Sequence, residues 1–192
     1  MANQDAAFGL KPIGFLGSTP MNSGLTEFEV AACASAFSQN DLMKVINTGT
    51  VGIAAATDNG ALLGSVQGVF FTDATTSKPT FANNLRGSNA ATDIKGFIYD
   101  DPYQRFECQS DNTGASQLTD INNNSNITYL AGSTPNYISK SEFKDGDLAA
   151  GAATLRHLGF SKDPDNSDFG SANVNIVVSI NEHQDGKAVD GI

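Results

Sequence analysis

The stretch Phe97–Asp111, "FIYDDPYQRFECQSD", decides how the chain is read, because it can be an acid-lined site or a piece of β framework. It brings Asp100, Asp101 and Glu107 close in sequence to two tyrosines, Arg105 and Cys108. Glycoside hydrolysis needs two carboxylates flanking a cleft, usually with an aromatic wall for the sugar. Neither acid of Asp100-Asp101 has an obvious second partner, and the chain contains no Trp. As framework the stretch is well accounted for. "GFIYD" alternates as a strand, Asp101-Pro102 supplies a turn through the fixed proline φ and the aspartate side chain, and "RFECQSD" returns as a second strand. Phe106 and Cys108 then share one face, with Arg105, Glu107 and Gln109 on the other. The expectation is a β-hairpin without catalytic residues.

The segments on either side have the same texture. "LMKVINTGTVGIAAATDNGALLGSVQGVFFTD" holds three short apolar runs cut by Asn47-Thr48-Gly49 and Asp58-Asn59-Gly60, residue types that tolerate positive φ in tight turns. Strands are expected at 42–47, 51–56 and 61–72, the last bent at Gly64 or Gly68. "TTSKPTFANN" reads as a loop with a short edge piece, and "NTGASQLTDINNN" as a polar connection with one short helical turn. In the final strand, "NVNIVVSINEHQ", Val174, Ile176, Val178 and Ile180 share one face. No apolar stripe runs at helical spacing, since the best attempt, "SEFKDGDLAAGAATLRHLGF", is interrupted by Gly146, Gly151 and Gly159. Many short strands with turns between them point to an all-β fold, a β-sandwich or β-barrel.

Residues 1–25 form an extended N-terminal arm ahead of a single β domain, 26–192. Six Gly or Pro residues between Gly9 and Gly24 break any helix and shorten any strand. Phe8, Leu10, Pro12, Ile13, Phe15 and Leu16 lie between and among them, and most of these side chains gain from burial. An arm of this kind lies along a surface, either its own domain's or a partner's. These six residues are the candidate binding residues.

Composition closes off several functions. With 11 basic and 21 acidic residues the net charge is −10, and the basic residues are scattered singly, which disfavours nucleic acid as a partner. The start has no basic region followed by an apolar one, so no secretory signal is expected. No apolar run is long enough for a bilayer-spanning helix. Cys33 and Cys108 are too far apart for a CxxC motif and read as small buried hydrophobes, with a bridge between them left open. His157 and His183 have no metal-binding spacing and are expected at the surface or in structural hydrogen bonds. No nucleophile elbow or phosphate-cradling loop occurs. The closest approach to a cation loop is "DPDNSD", Asp163–Asp168. It lacks the glycine at its sixth place, and Val174 stands where a terminal glutamate would be. No cofactor, metal or catalytic residue is expected.

Three segments together carry a resemblance: "MANQDAAFGLKPIG" at the start, "FIYDDPYQRFECQSD" in the middle, and "LRHLGFSKDPDNSDFGSANVNIVVSINEHQ" at the end. The chain resembles the capsid decoration (cement) proteins of tailed bacteriophages, especially those of marine and cyanobacterial phages. That resemblance implies a β-tulip-like domain and a non-enzymatic virion protein, made in the host cytoplasm and bound to the outer surface of the shell. The implied partner is the major capsid protein, with a homo-oligomer, most often a trimer, as the bound form, and neither membrane nor nucleic acid as a partner. A tail or tail-tube protein is the alternative from the same particle, and assembly into rings or tubes in isolation would favour it. A host-surface carbohydrate-binding module is a third class, which would require a cleft with convergent acids or aromatics.

Overall fold

The computed structural model describes residues 3–17, 24–31, 36–55, 61–87, 89–132 and 134–186. The chain is nearly all β, with no helix among the described residues longer than two three-residue 3-10 turns, Leu118–Asp120 and Asp145–Asp147. The first of these falls in the polar connection where the sequence placed a short helical turn.

Two principal sheets form the architecture. The first contains β1 (Lys11–Phe15), β10 (Gln104–Gln109), β15 (Asn175–Ile180), β14 (Leu155–Phe160) and β11 (Asn124–Ser125), in that order, all antiparallel. The second contains β2 (Thr26–Glu29), β9 (Lys95–Tyr99), β6 (Gly64–Thr72), β4 (Leu42–Val45) and β5 (Val51–Ile53), with β7 (Pro79–Ala82) also on β6. Beyond β2 the chain meets β5 again: Val30 bridges Val51, and the Ala31 N–H donates to the Val51 carbonyl at 3.0 Å. The second sheet therefore curls round on itself. Two small ladders complete the set, β3 (Phe37–Ser38) with β8 (Asn84–Leu85), and β12 (Ile127–Thr128) with β13 (Glu142–Phe143).

The expected hairpin in Phe97–Asp111 is corrected. Its two strands are real, but β9 pairs with β2 and β6, whereas β10 pairs with β1 and β15. The stretch is a corner that carries the chain from one sheet to the other. Asp101 makes it tight: its side chain accepts the Tyr103 N–H at 2.7 Å, and its carbonyl accepts the Gln104 N–H at 2.9 Å. Such a turn fixes the local reversal but not which strand lies alongside.

Other strands follow the sequence pattern. The β4–β5 turn closes through Ile46 and Thr50, with Gly49 at φ +77°. The bend in β6 is a register shift between Val66 and Gly68 against β9. Asp58-Asn59-Gly60 and Cys33 lie outside the described residues. Strands β11 and β12 lie only one residue apart in sequence yet pair with different partners, β14 and β13.

Alternation builds the larger core. Phe106 and Cys108 on β10 oppose Val178 and Ile176 on β15, and these join Leu155, Ile180 and Phe143 beneath the first sheet. Leu42 and the partly buried Tyr99 meet them from the second sheet, and Leu62 from the segment just before β6, so the sheets pack in a sandwich-like way. A second core, including Met43, Leu63, Val66, Val69 and Ile98, fills the curled sheet. Burying each side chain of this size stabilises the fold by roughly 1.5–3 kcal/mol.

Candidate interaction surface

The arm lies on its own domain. Leu10, fully buried, belongs to the larger core, and Phe15 is also buried. Between them β1 forms the edge of the first sheet, with Pro12 opposite Phe106 and Gly14 opposite Arg105. Gly9 sits at φ +71°, where a Cβ would come within 2.5 Å of the Asn40 carbonyl oxygen and of the Ser139 side chain. Only glycine lets the arm pass this close to the domain.

Side-chain amides stitch down the rest. Asn166 accepts the Gln4 N–H at 2.8 Å and donates to the Gln4 carbonyl at 2.9 Å, acting as a strand neighbour would. Gln109, wholly buried, donates to the same carbonyl at 2.8 Å and accepts the Ala6 N–H at 2.8 Å. Asn40 donates to the Phe8 carbonyl, Ser65 to that of Leu10, and Gln104 to that of Gly14. An extended segment without a strand partner would leave the Gln4, Ala6 and Phe8 backbone groups unsatisfied, and the Asn166, Gln109 and Asn40 amides replace the missing ladder there. This arrangement also explains why Gln109, on the face of β10 expected to be polar, is buried.

The six candidate residues therefore divide. Leu10 and Phe15 serve the chain's own core, Phe8 and Pro12 are half-buried, and Ile13 and Leu16 remain exposed at 38% each. Sequence reasoning missed Tyr103, 57% exposed, which the corner places beside the arm: the Leu16 N–H donates to its carbonyl at 2.8 Å. Ile13 borders an open depression of about 400 Å³ whose walls include Arg105, Val177, Phe160 and Lys162. Among the described residues β1 has a strand neighbour on one side only, and its other edge runs next to these apolar side chains.

The acids of the corner do not converge on a common point. Asp100 accepts the Thr26 hydroxyl at 2.9 Å, Asp101 holds the turn, and Glu107 is buried between Lys11 on β1 and the Ser161 hydroxyl. A second acidic group is structural as well. Asp111 accepts the N–H and hydroxyl of Thr113, the Thr128 hydroxyl and the Asp145 N–H, and Asp145 in turn accepts the Ser116 hydroxyl. Glu142 nearby is pushed up to about 7, first by burial and then by Asp5 and Asp111.

The histidines depart from expectation in one case. His183 accepts the Asp185 N–H through Nδ1. His157 is fully buried against Phe143 and Phe160, and neither ring nitrogen has a hydrogen-bond partner. Burial pushes its pKa below the ordinary value. Cys108 is a free, buried thiol whose pKa burial raises strongly, so it is inert as a nucleophile. Within "DPDNSD", Asp163 closes a turn onto the Asp165 N–H, and Asn166 holds the arm. Among the described residues no three His, Cys, Asp or Glu side chains are placed to share a metal ion. No helix among them is long and apolar enough to cross a membrane.

No protein-family model matches the chain, and no curated protein or solved structure matches it.

Proposed function

We propose that the protein is a non-enzymatic capsid decoration protein, bound to the outer surface of a phage shell through the open edge of β1. The observation that carries this reading is the arm itself. It is fastened to the domain along one side and leaves Ile13, Leu16 and Tyr103 exposed along the other. An open edge flanked by apolar side chains suits the addition of a strand from a neighbouring protein: backbone hydrogen bonds supply affinity, and the side chains supply register. Repetition over a lattice, as a homo-oligomer such as a trimer, multiplies modest contacts by avidity. The acidic surface suits a protein present at high copy number beside packaged DNA. The partner in this reading is the major capsid protein.

The test is occupancy on purified shells lacking this protein. Deleting residues 1–20 would remove Leu10 and Phe15 from the core, so surface substitutions are the cleaner probe. Ile13→Asp with Leu16→Asp should reduce shell occupancy at least tenfold while thermal unfolding of the free protein changes little. Full occupancy by the folded double variant would remove the edge from the account. Rings or tubes formed by the protein alone would point to the tail instead.

A further inference from the structure

A second exposed apolar surface lies on the curled sheet, independent of the arm. Register places Phe70 on β6 directly opposite Phe81 on β7, and Gly68 opposite Phe97 on β9. None of the three phenylalanines belongs to either core. Their neighbours Val69 and Ile98 point inward, so the phenylalanines occupy the outer face. Phe81 is 63% exposed, the most exposed large apolar side chain among the described residues. It is nevertheless held in place: a Cβ on Gly68 would lie 2.9 Å from its Cζ, and its ring centroid is 5.6 Å from that of Phe97. The ring thus lies over Gly68 beside Phe97 as a fixed shelf.

The rim is acidic. Lys95, opposite Phe70, pairs with Glu27 at 2.5 Å and is further surrounded by Glu29 and Asp93. One cation among three carboxylates leaves the rim net negative. Two copies of this chain meeting through the patch would oppose like charges, on a molecule already carrying −10. The surface instead complements an apolar side chain flanked by lysine or arginine.

We infer that the Phe70–Phe81–Phe97 shelf is a docking site for a basic protein segment with an apolar tip. Phe81 is its central contact, and Glu29 and Asp93 read the flanking positive charge. The inference goes beyond the capsid reading and does not depend on it.

The test is NMR titration of the isotope-labelled full chain with two synthetic twelve-residue peptides sharing an apolar centre, one flanked by lysines and one by glutamates. The lysine peptide should shift amides of β6, β7 and β9 around the shelf, with at least tenfold tighter binding than the glutamate peptide. Phe81→Ser should abolish those shifts, and Glu29→Lys, at an exposed position, should weaken the lysine peptide several-fold. Equal binding of both peptides, shifts centred elsewhere, or a Phe81→Ser protein that binds as well as the parent would overturn the inference.

Discussion

Glu142 shows how one side chain links the arm to pH. It lies on β13, where burial first, and then Asp5 of the arm and Asp111 just beyond β10, push its pKa up to about 7 from an ordinary 4.5. A carboxyl whose pKa is raised by folding favours the fold most below its unfolded value, and that contribution is lost as pH rises through the folded value. Glu142→Gln should therefore gain stability relative to the parent as pH rises from 5 to 8. Thermal unfolding of both proteins across that range measures the difference, and a constant offset would contradict a Glu142 carboxyl raised by folding. Gly9 offers a second test. Gly9→Ala meets both a positive φ and the Asn40 carbonyl, and it should cost about 1–3 kcal/mol in urea unfolding.

The elements show what local sequence controls. Alternation at Val174, Ile176, Val178 and Ile180 was legible because one face of β15 is wholly apolar, and Gly68 marked a real break in β6. The corner at Asp101 was not legible as a corner. Hairpin and sheet-to-sheet turns use the same residues, and the choice rests on pairing with β1, β2, β6 and β15, all distant in sequence. His157 misled for a related reason, since its cover includes Phe143 from β13 as well as Phe160 of its own strand. In the arm, Leu10 and Phe15 could be recognised as apolar side chains in need of cover, but sequence left open whether their own domain or a partner supplies it. The corner makes its own prediction. Asp101→Ala removes the hydrogen bond to Tyr103 and should cost about 0.5–1.5 kcal/mol. Asp100→Ala, which loses one exposed contact to Thr26, should stay within about 0.5 kcal/mol of the parent. Equal costs for the two would contradict this division of roles.

At the scale of the whole molecule, the arm is part of the fold and also borders the surface through which the protein is proposed to act. Leu10→Ala should destabilise the isolated protein by about 2–5 kcal/mol, because it opens the larger core, whereas Ile13 and Leu16 tolerate polar substitution. Binding and folding can thus be separated within the seven residues 10–16 of the arm. The most direct test of the proposed capsid role is the protein composition of purified, tail-free heads of a phage carrying this gene, measured by quantitative mass spectrometry. The account predicts the protein on those heads in a fixed stoichiometric ratio to the major capsid subunit. Its absence from heads, or its recovery only with tails, would contradict it.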